Sequence, residues 1–157
     1  MKRIATIFLQ VVIAVLGLAI LTWLLWVPHV DGANAKASFF SVYLDVFIAF
    51  IYLGSIPFFV AIYHGIRLLG FIGRNETFSE QAVRSLRMIK YCAIAVIGFA
   101  AVSLLFMLGS ERNDRPAGLF LRVIIVIPSL IAAAAATVFE RILRQAVDIK
   151  AENDLTI

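Results

Sequence analysis

Cysteine, histidine and charge are all scarce in this chain, and each shortage narrows what the protein can be. One cysteine among 157 residues forms no internal disulfide, and two histidines beside it leave no cluster with metal-ligand spacing. Charged residues make up 15% of the chain and apolar ones 62%, against roughly 25% and 45–50% in an ordinary soluble domain. A water-soluble domain of this length has too little interior to hide so much hydrocarbon, so lipid must solvate most of it. No Ser, His and Asp set, glycine-rich phosphate loop or His-Glu-x-x-His motif is present. These shortages lead us to expect a non-enzymatic protein with no cofactor and no metal.

What the chain does have is long apolar runs. They cover residues 4–27, 38–69, 88–108 and 119–139. Each reaches the ~20 residues that cross ~30 Å of hydrocarbon at 1.5 Å per residue. Backbone groups find no water inside a bilayer, so only helices or closed barrels span it. Continuous runs, in place of short apolar-polar alternations, exclude the barrel. The sequence therefore predicts an all-α membrane protein. It is a single domain, a four-transmembrane-helix bundle with helices three and four extended into the cytoplasm.

The placement of charge orients the bundle. Lys2 and Arg3 precede the first run, Arg67, Arg74, Arg84, Arg87 and Lys90 surround the second connection, and Arg141, Arg144 and Lys150 follow the last run. The other side holds Lys36, Arg112, Arg115 and Arg122. Ten basic residues against four point both termini toward the cytoplasm. Trp23 and Trp26 then fall at the outer end of helix one, where amphipathic rings favour the headgroup region. The small-x-small triplet Ala33-Asn34-Ala35 imitates a signal-peptide cleavage site. The preceding apolar run is about 24 residues, however, where a signal h-region has roughly 7–15. An uncleaved first helix is the expectation.

Punctuation along the chain sets the boundaries. Helix one is expected to end at Pro28, before the breaker-rich "HVDGANAKA". Helix two is long for one crossing, so it must tilt, bend at Pro57 or run along the inner interface before stopping at the Gly70–Gly73 pair. Thr77 with Glu80 three residues later matches a capping box, and Ser79 is a competing cap. Gly17, Gly98, Ala100, Ala101 and the run at 132–136 are small residues that let helices approach closely.

Polar residues within the runs require an explanation. Asp45 in helix two and Arg122 in helix four lie at similar depth with opposite charge. Either one alone in hydrocarbon costs ~2.5–3.5 kcal/mol on insertion scales. An intramembrane ion pair locking helix two to helix four is expected, with snorkelling of Arg122 and a transport role as alternatives. His29 and His64 fall near opposite boundaries, too far apart to share one iron. A small multidrug exporter would fit four helices, but such transporters use a carboxylate in the first helix and none is present. Cys92 is expected to be buried as a small hydrophobe.

The cytoplasmic segments 76–90 and 139–157 stand apart. From Phe78, apolar residues recur at Ala82, Val83, Leu86 and Ile89. From Phe139 they recur at Ile142, Leu143, Ala146 and Ile149, with Glu140, Arg141, Arg144, Asp148 and Lys150 opposite. Both follow the spacing of an amphipathic helix. Helices three and four are antiparallel neighbours, so the stripes are expected to meet and carry the bundle some 15 Å beyond the membrane at ~1.5 Å per residue. Three outcomes are compatible with this. The stripes staple the two helices, lie on anionic headgroups, or leave a groove for a partner.

At "FSEQAVRSLRMIKY" and "ILRQAVDIKAENDLTI" the chain resembles a bacterial four-span membrane family known as domain of unknown function 2975. The matching positions are Phe78 and Ser79 and the segment from Glu152 to Ile157. Genes of that family often lie beside one for a small Cro-like helix-turn-helix regulator. The resemblance therefore implies a membrane component that docks or sequesters a cytoplasmic DNA-binding protein. The residues expected to contact it are Phe78, Ser79, Arg84, Arg87, Arg141 and Arg144. The tail adds Glu152, Asn153, Asp154 and Leu155. Direct nucleic-acid binding is not expected, because the basic residues serve orientation and the acidic tail repels phosphate. A small transporter or channel using Asp45 and Arg122, or a structural assembly subunit, are the alternatives, and a homo-oligomer is compatible with the sequence.

Overall fold

A computed structural model describes residues 2–30, 46–108 and 115–155. They form α1 (Lys2–Val30), α2 (Val46–Gly73), α3 (Glu80–Leu108) and α4 (Arg115–Leu155), and among the described residues there is no strand. Each helix holds a stretch long and apolar enough to cross a membrane: Ile4–Trp26, Ile48–Gly73, Glu80–Leu105 and Arg122–Asn153. The protein is an all-α membrane protein of four spans.

The helices pack in series, α1 on α2, α2 on α3 and α3 on α4. Contacts near both ends of α1 and α2 make them antiparallel: Gly73 lies against Thr6, and the Tyr52 hydroxyl donates to the Leu24 carbonyl. Arg87 and Lys90 meeting Glu140, with Arg122 meeting Ser103, do the same for α3 and α4. The start of α1, the α2–α3 turn and the end of α4 therefore share one end of the array, the end that carries most of the basic residues. Serial packing leaves each helix with a wide face uncovered by protein. Among the described residues no large side chain is fully buried, and Ile4, Phe8, Trp23, Leu105 and Phe120 are all more than half exposed. Hydrocarbon chains cover such faces in a bilayer, where association relies on close packing and hydrogen bonds rather than on apolar burial.

One boundary differs from the sequence expectation and two are made more specific, each for a local reason. Pro28 does not end α1, which continues to Val30. Proline has no N–H, so the Leu24 carbonyl loses its intrahelical donor. The Tyr52 hydroxyl donates to that carbonyl at 3.1 Å and so ties α2 to α1. α2 stops at Gly73, as expected, but neither Gly70 nor Gly73 supplies the reversal. Neither has positive φ, and a Cβ on Gly73 would come within 3.1 Å of the Thr6 side chain. They are a notch for α1. The reversal is made by Asn75 at φ 59°, with the Glu76 amide donating to the Phe71 carbonyl (2.9 Å) and the Asn75 amide to the Ile72 carbonyl (3.2 Å). That pattern is a Schellman cap with asparagine in the left-handed position. The next helix starts on Ser79, not Thr77, because the Ser79 hydroxyl accepts from the Ala82 amide at 3.3 Å.

α4 is the outlier in length. Its 41 residues extend for about 60 Å, twice the ~30 Å hydrocarbon core. Pro128 is accommodated within it, as Pro57 is within α2. The helix therefore emerges from the bilayer without a break, as the apolar periodicity beyond residue 139 predicted.

Candidate functional site

The seam between α3 and α4 determines what the basic end presents. On α4 the protein-facing positions are Ala133, Ala136, Glu140, Leu143 and Val147, the alternating three- and four-residue steps of a continuous seam. On α3, Ala82, Leu86, Ala93 and Ala100 are buried at 0–8% exposure. Small residues on both sides bring the backbones close. This corrects the expected stripe. Phe139, Ile142 and Ile149 are 53–60% exposed and lie on other faces of α4, whereas Leu143 and Ala146 are half-buried. The alanine run approaches α3, and each residue advances about 100° around the helix. That rotation brings Glu140, not Phe139, to the seam.

Glu140 is the polar residue that sequence reasoning misplaced on the solvent face. It is 8% exposed, and both carboxylate oxygens are used. Arg87 Nε donates to Oε1 at 2.8 Å, and Lys90 Nζ to Oε2 at 2.5 Å. The two cations stand three residues apart on α3, so they sit on one face about a turn apart and grip one carboxylate between them. Arg87 keeps 40% of its side chain exposed and Lys90 20%, so the clamp sits at the edge of the seam. A signal was present in the sequence: an acid in register with small residues at Ala133 and Ala136, opposite a pair of basic residues.

At the other end of the seam, Arg122 donates from Nε to the Ser103 hydroxyl (2.8 Å) and from Nη2 to the Ser103 carbonyl (3.2 Å). Its expected partner Asp45 lies outside the described residues. Arg122 is thus engaged with α3, and Ser103 is a partner that the sequence reading did not single out. The α1–α2 seam is held by neutral groups. Gln10, also missed, donates from Nε2 to the Ile66 carbonyl at 2.8 Å. Cys92 is buried, as expected. His64 is half-buried, with an Nδ1 that finds no partner among the described residues.

Beyond the clamp, a cleft of about 200 Å³ lies along the edge of the α3–α4 seam. Glu80, Arg84 and Arg87 form one wall, Arg144 and Asp148 the other, with Val83 and Val147 supplying apolar lining. The remaining expected contact residues are distributed around this end. Phe78 is 56% exposed in the α2–α3 turn, Ser79 is taken up as the cap of α3, and Arg141 is exposed on α4. Glu152 and Asn153 are exposed, and the helix continues through Asp154 to Leu155. On the α4 face opposite the seam, Ile131, Val138, Ile142 and Ile149 form one uncovered apolar row that outlasts the hydrocarbon-length run.

Comparison with known proteins agrees with the membrane character of the chain. The family model described as "Protein of unknown function (DUF2975)" matches residues 21–157. The chain is 38% identical to "Uncharacterized membrane protein YoaS" of Bacillus subtilis (strain 168) over 162 residues, covering all of both chains. No solved structure matches.

Proposed function

We propose that this chain, which belongs to the DUF2975 family of membrane proteins, is a non-enzymatic inner-membrane docking platform for a small cytoplasmic helix-turn-helix regulator. The observation that carries the reading is the reach of α4. It runs as one helix to Leu155, leaves Ile142 and Ile149 uncovered past the hydrocarbon-length run, and ends in the acidic turn that begins at Glu152. In this reading the basic end faces the cytoplasm, in keeping with the excess of Lys and Arg there. The Glu140 clamp welds α4 to α3, so the protruding helix is presented at a set angle. A rigid apolar row beside an acidic end suits an amphipathic helix of a basic regulator, by groove contacts and charge complementarity. Such a contact would compete with DNA for the regulator's basic surface, and this is how a membrane protein could sequester it.

The test is co-purification of the full-length protein from native membranes with the regulator encoded beside it. Deleting Glu152 to Ile157, or combining Ile142→Ser with Ile149→Ser, should abolish capture while all four spans still insert. Undiminished capture by both variants would refute the reading, as would reporter fusions that place the C-terminus outside the cytoplasm.

A further inference from the structure

The cleft beyond the clamp has a charge arrangement that internal packing does not use. In the antiparallel register set by Arg87 and Glu140, Arg84 comes opposite Arg144, and Glu80 comes opposite Asp148. Like charges therefore face each other in two successive layers. The arginine layer is nearer the spans and the carboxylate layer one turn farther out. Among the described residues, none of these four side chains has an opposite charge within 4 Å. The ion pairs found there are those of Glu140. All four side chains are exposed and screened by solvent, so the open cleft leaves both layers free to take a ligand that carries the two opposite charges in the same order.

Depth identifies what that is. The uninterrupted apolar runs of the sequence begin at Met88 and end at Phe139, and on those bounds Arg87 and Glu140 fall at the edge of the bilayer and Arg84 and Arg144 at headgroup level. We propose that the cleft holds the headgroup of an aminophospholipid of the adjoining leaflet, its phosphate between Arg84 and Arg144 and its ammonium between Glu80 and Asp148. The four-residue steps from Arg84 to Glu80 and from Arg144 to Asp148 each rise ~6 Å along their helices, comparable with the span of a two-carbon ethanolamine linker. The polarity also matches, because a lipid presents its phosphate nearer the acyl chains and its ammonium farther out. A primary ammonium brings three donors to the two carboxylates, whereas a trimethylated choline brings none. The cleft lies on the seam side of α4, away from Ile142 and Ile149, so lipid occupancy stands or falls separately from regulator docking.

The test uses native mass spectrometry of the full chain in detergent, with equal amounts of dioleoyl phosphatidylethanolamine, phosphatidylglycerol and phosphatidylcholine added. Phosphatidylethanolamine should be retained about tenfold over the other two, the scale of one charge-assisted pairing. E80Q combined with D148N should bring phosphatidylethanolamine and phosphatidylglycerol to parity. R84Q with R144Q should release both lipids. None of these changes touches the Glu140 clamp, and if the arginine variant fails to fold the carboxylate variant decides alone. Equal retention by the unaltered chain would overturn the proposal, as would a preference that survives E80Q with D148N. Displacement of the lipid by soluble O-phosphoethanolamine at equal concentration would do the same, by making the ligand a free metabolite. Inorganic phosphate that competes as well as the lipid would reduce the cleft to an anion site and equally refute it.

Discussion

The α1–α2 and α3–α4 seams solve the same problem with opposite chemistry. α1 and α2 are joined by neutral hydrogen bonds, Gln10 to the Ile66 carbonyl and Tyr52 to the Leu24 carbonyl, around glycine notches at Gly70 and Gly73. α3 and α4 are joined by alanines, with a charged clamp where the seam leaves the bilayer. The difference follows depth. An uncompensated charge in hydrocarbon costs several kcal/mol, whereas at the edge it retains partial hydration and gains a charge-assisted bond. Neutral bonds between membrane helices are weak, averaging about 0.6 kcal/mol. The charged seam is therefore the stiffer one, and it is the seam that carries the protruding helix.

Substitutions that overfill the α3–α4 seam should produce the largest effect. Ala82 is 0% exposed, so Ala82→Leu should cost about 2–3 kcal/mol. That lowers the thermal midpoint in detergent by roughly 5–10 °C. Gly98→Leu, where a Cβ meets nothing within 4 Å, should leave it almost unchanged. Equal responses at the two positions would show that the seam is not close-packed.

Removing the clamp should have the next largest effect. Glu140→Gln leaves Arg87 and Lys90 facing a neutral amide and should cost about 2 kcal/mol, with the loss shrinking as salt screens the cations. Hydrogen exchange should rise in the α4 segment past residue 140 and remain unchanged in α1. If exchange rises uniformly, the clamp is not what holds the protruding helix.

The smallest effect belongs to the neutral seam. Gln10→Leu removes one side-chain bond to the Ile66 carbonyl and should cost about 0.6 kcal/mol, a shift of roughly 2 °C. A loss as large as that of Glu140→Gln would reverse the ranking of the two seams.

Apolar length and breaker residues made the four spans legible, because hydrocarbon solvation depends on local composition alone. The competing caps at Thr77 and Ser79 could both be named in advance, but only the path of the chain chose Ser79. α2 does stop at Gly73, but Asn75 makes the turn and the two glycines also serve as packing notches, since a glycine's role depends on what approaches it. Pro28 read as an end, yet a tyrosine from the next helix satisfies the carbonyl it frees. The platform residues were legible as a region but not as a surface. A helix turns about 100° per residue, so an error of one position exchanges the buried face for an exposed one. That is how Phe139 was assigned the place that Glu140 occupies.

Composition and periodicity were sufficient to determine that the chain lives in lipid, crosses it four times and sends its last helix past the boundary. These properties follow from how single segments partition between water and hydrocarbon. Which faces meet was decided only by the tertiary structure. It decided that one glutamate joins two cations across the seam, that arginines and carboxylates line a cleft in separate layers, and that Ile142 and Ile149 remain uncovered. Rotation and register between helices arise from side chains far apart in sequence, and no local pattern encodes them.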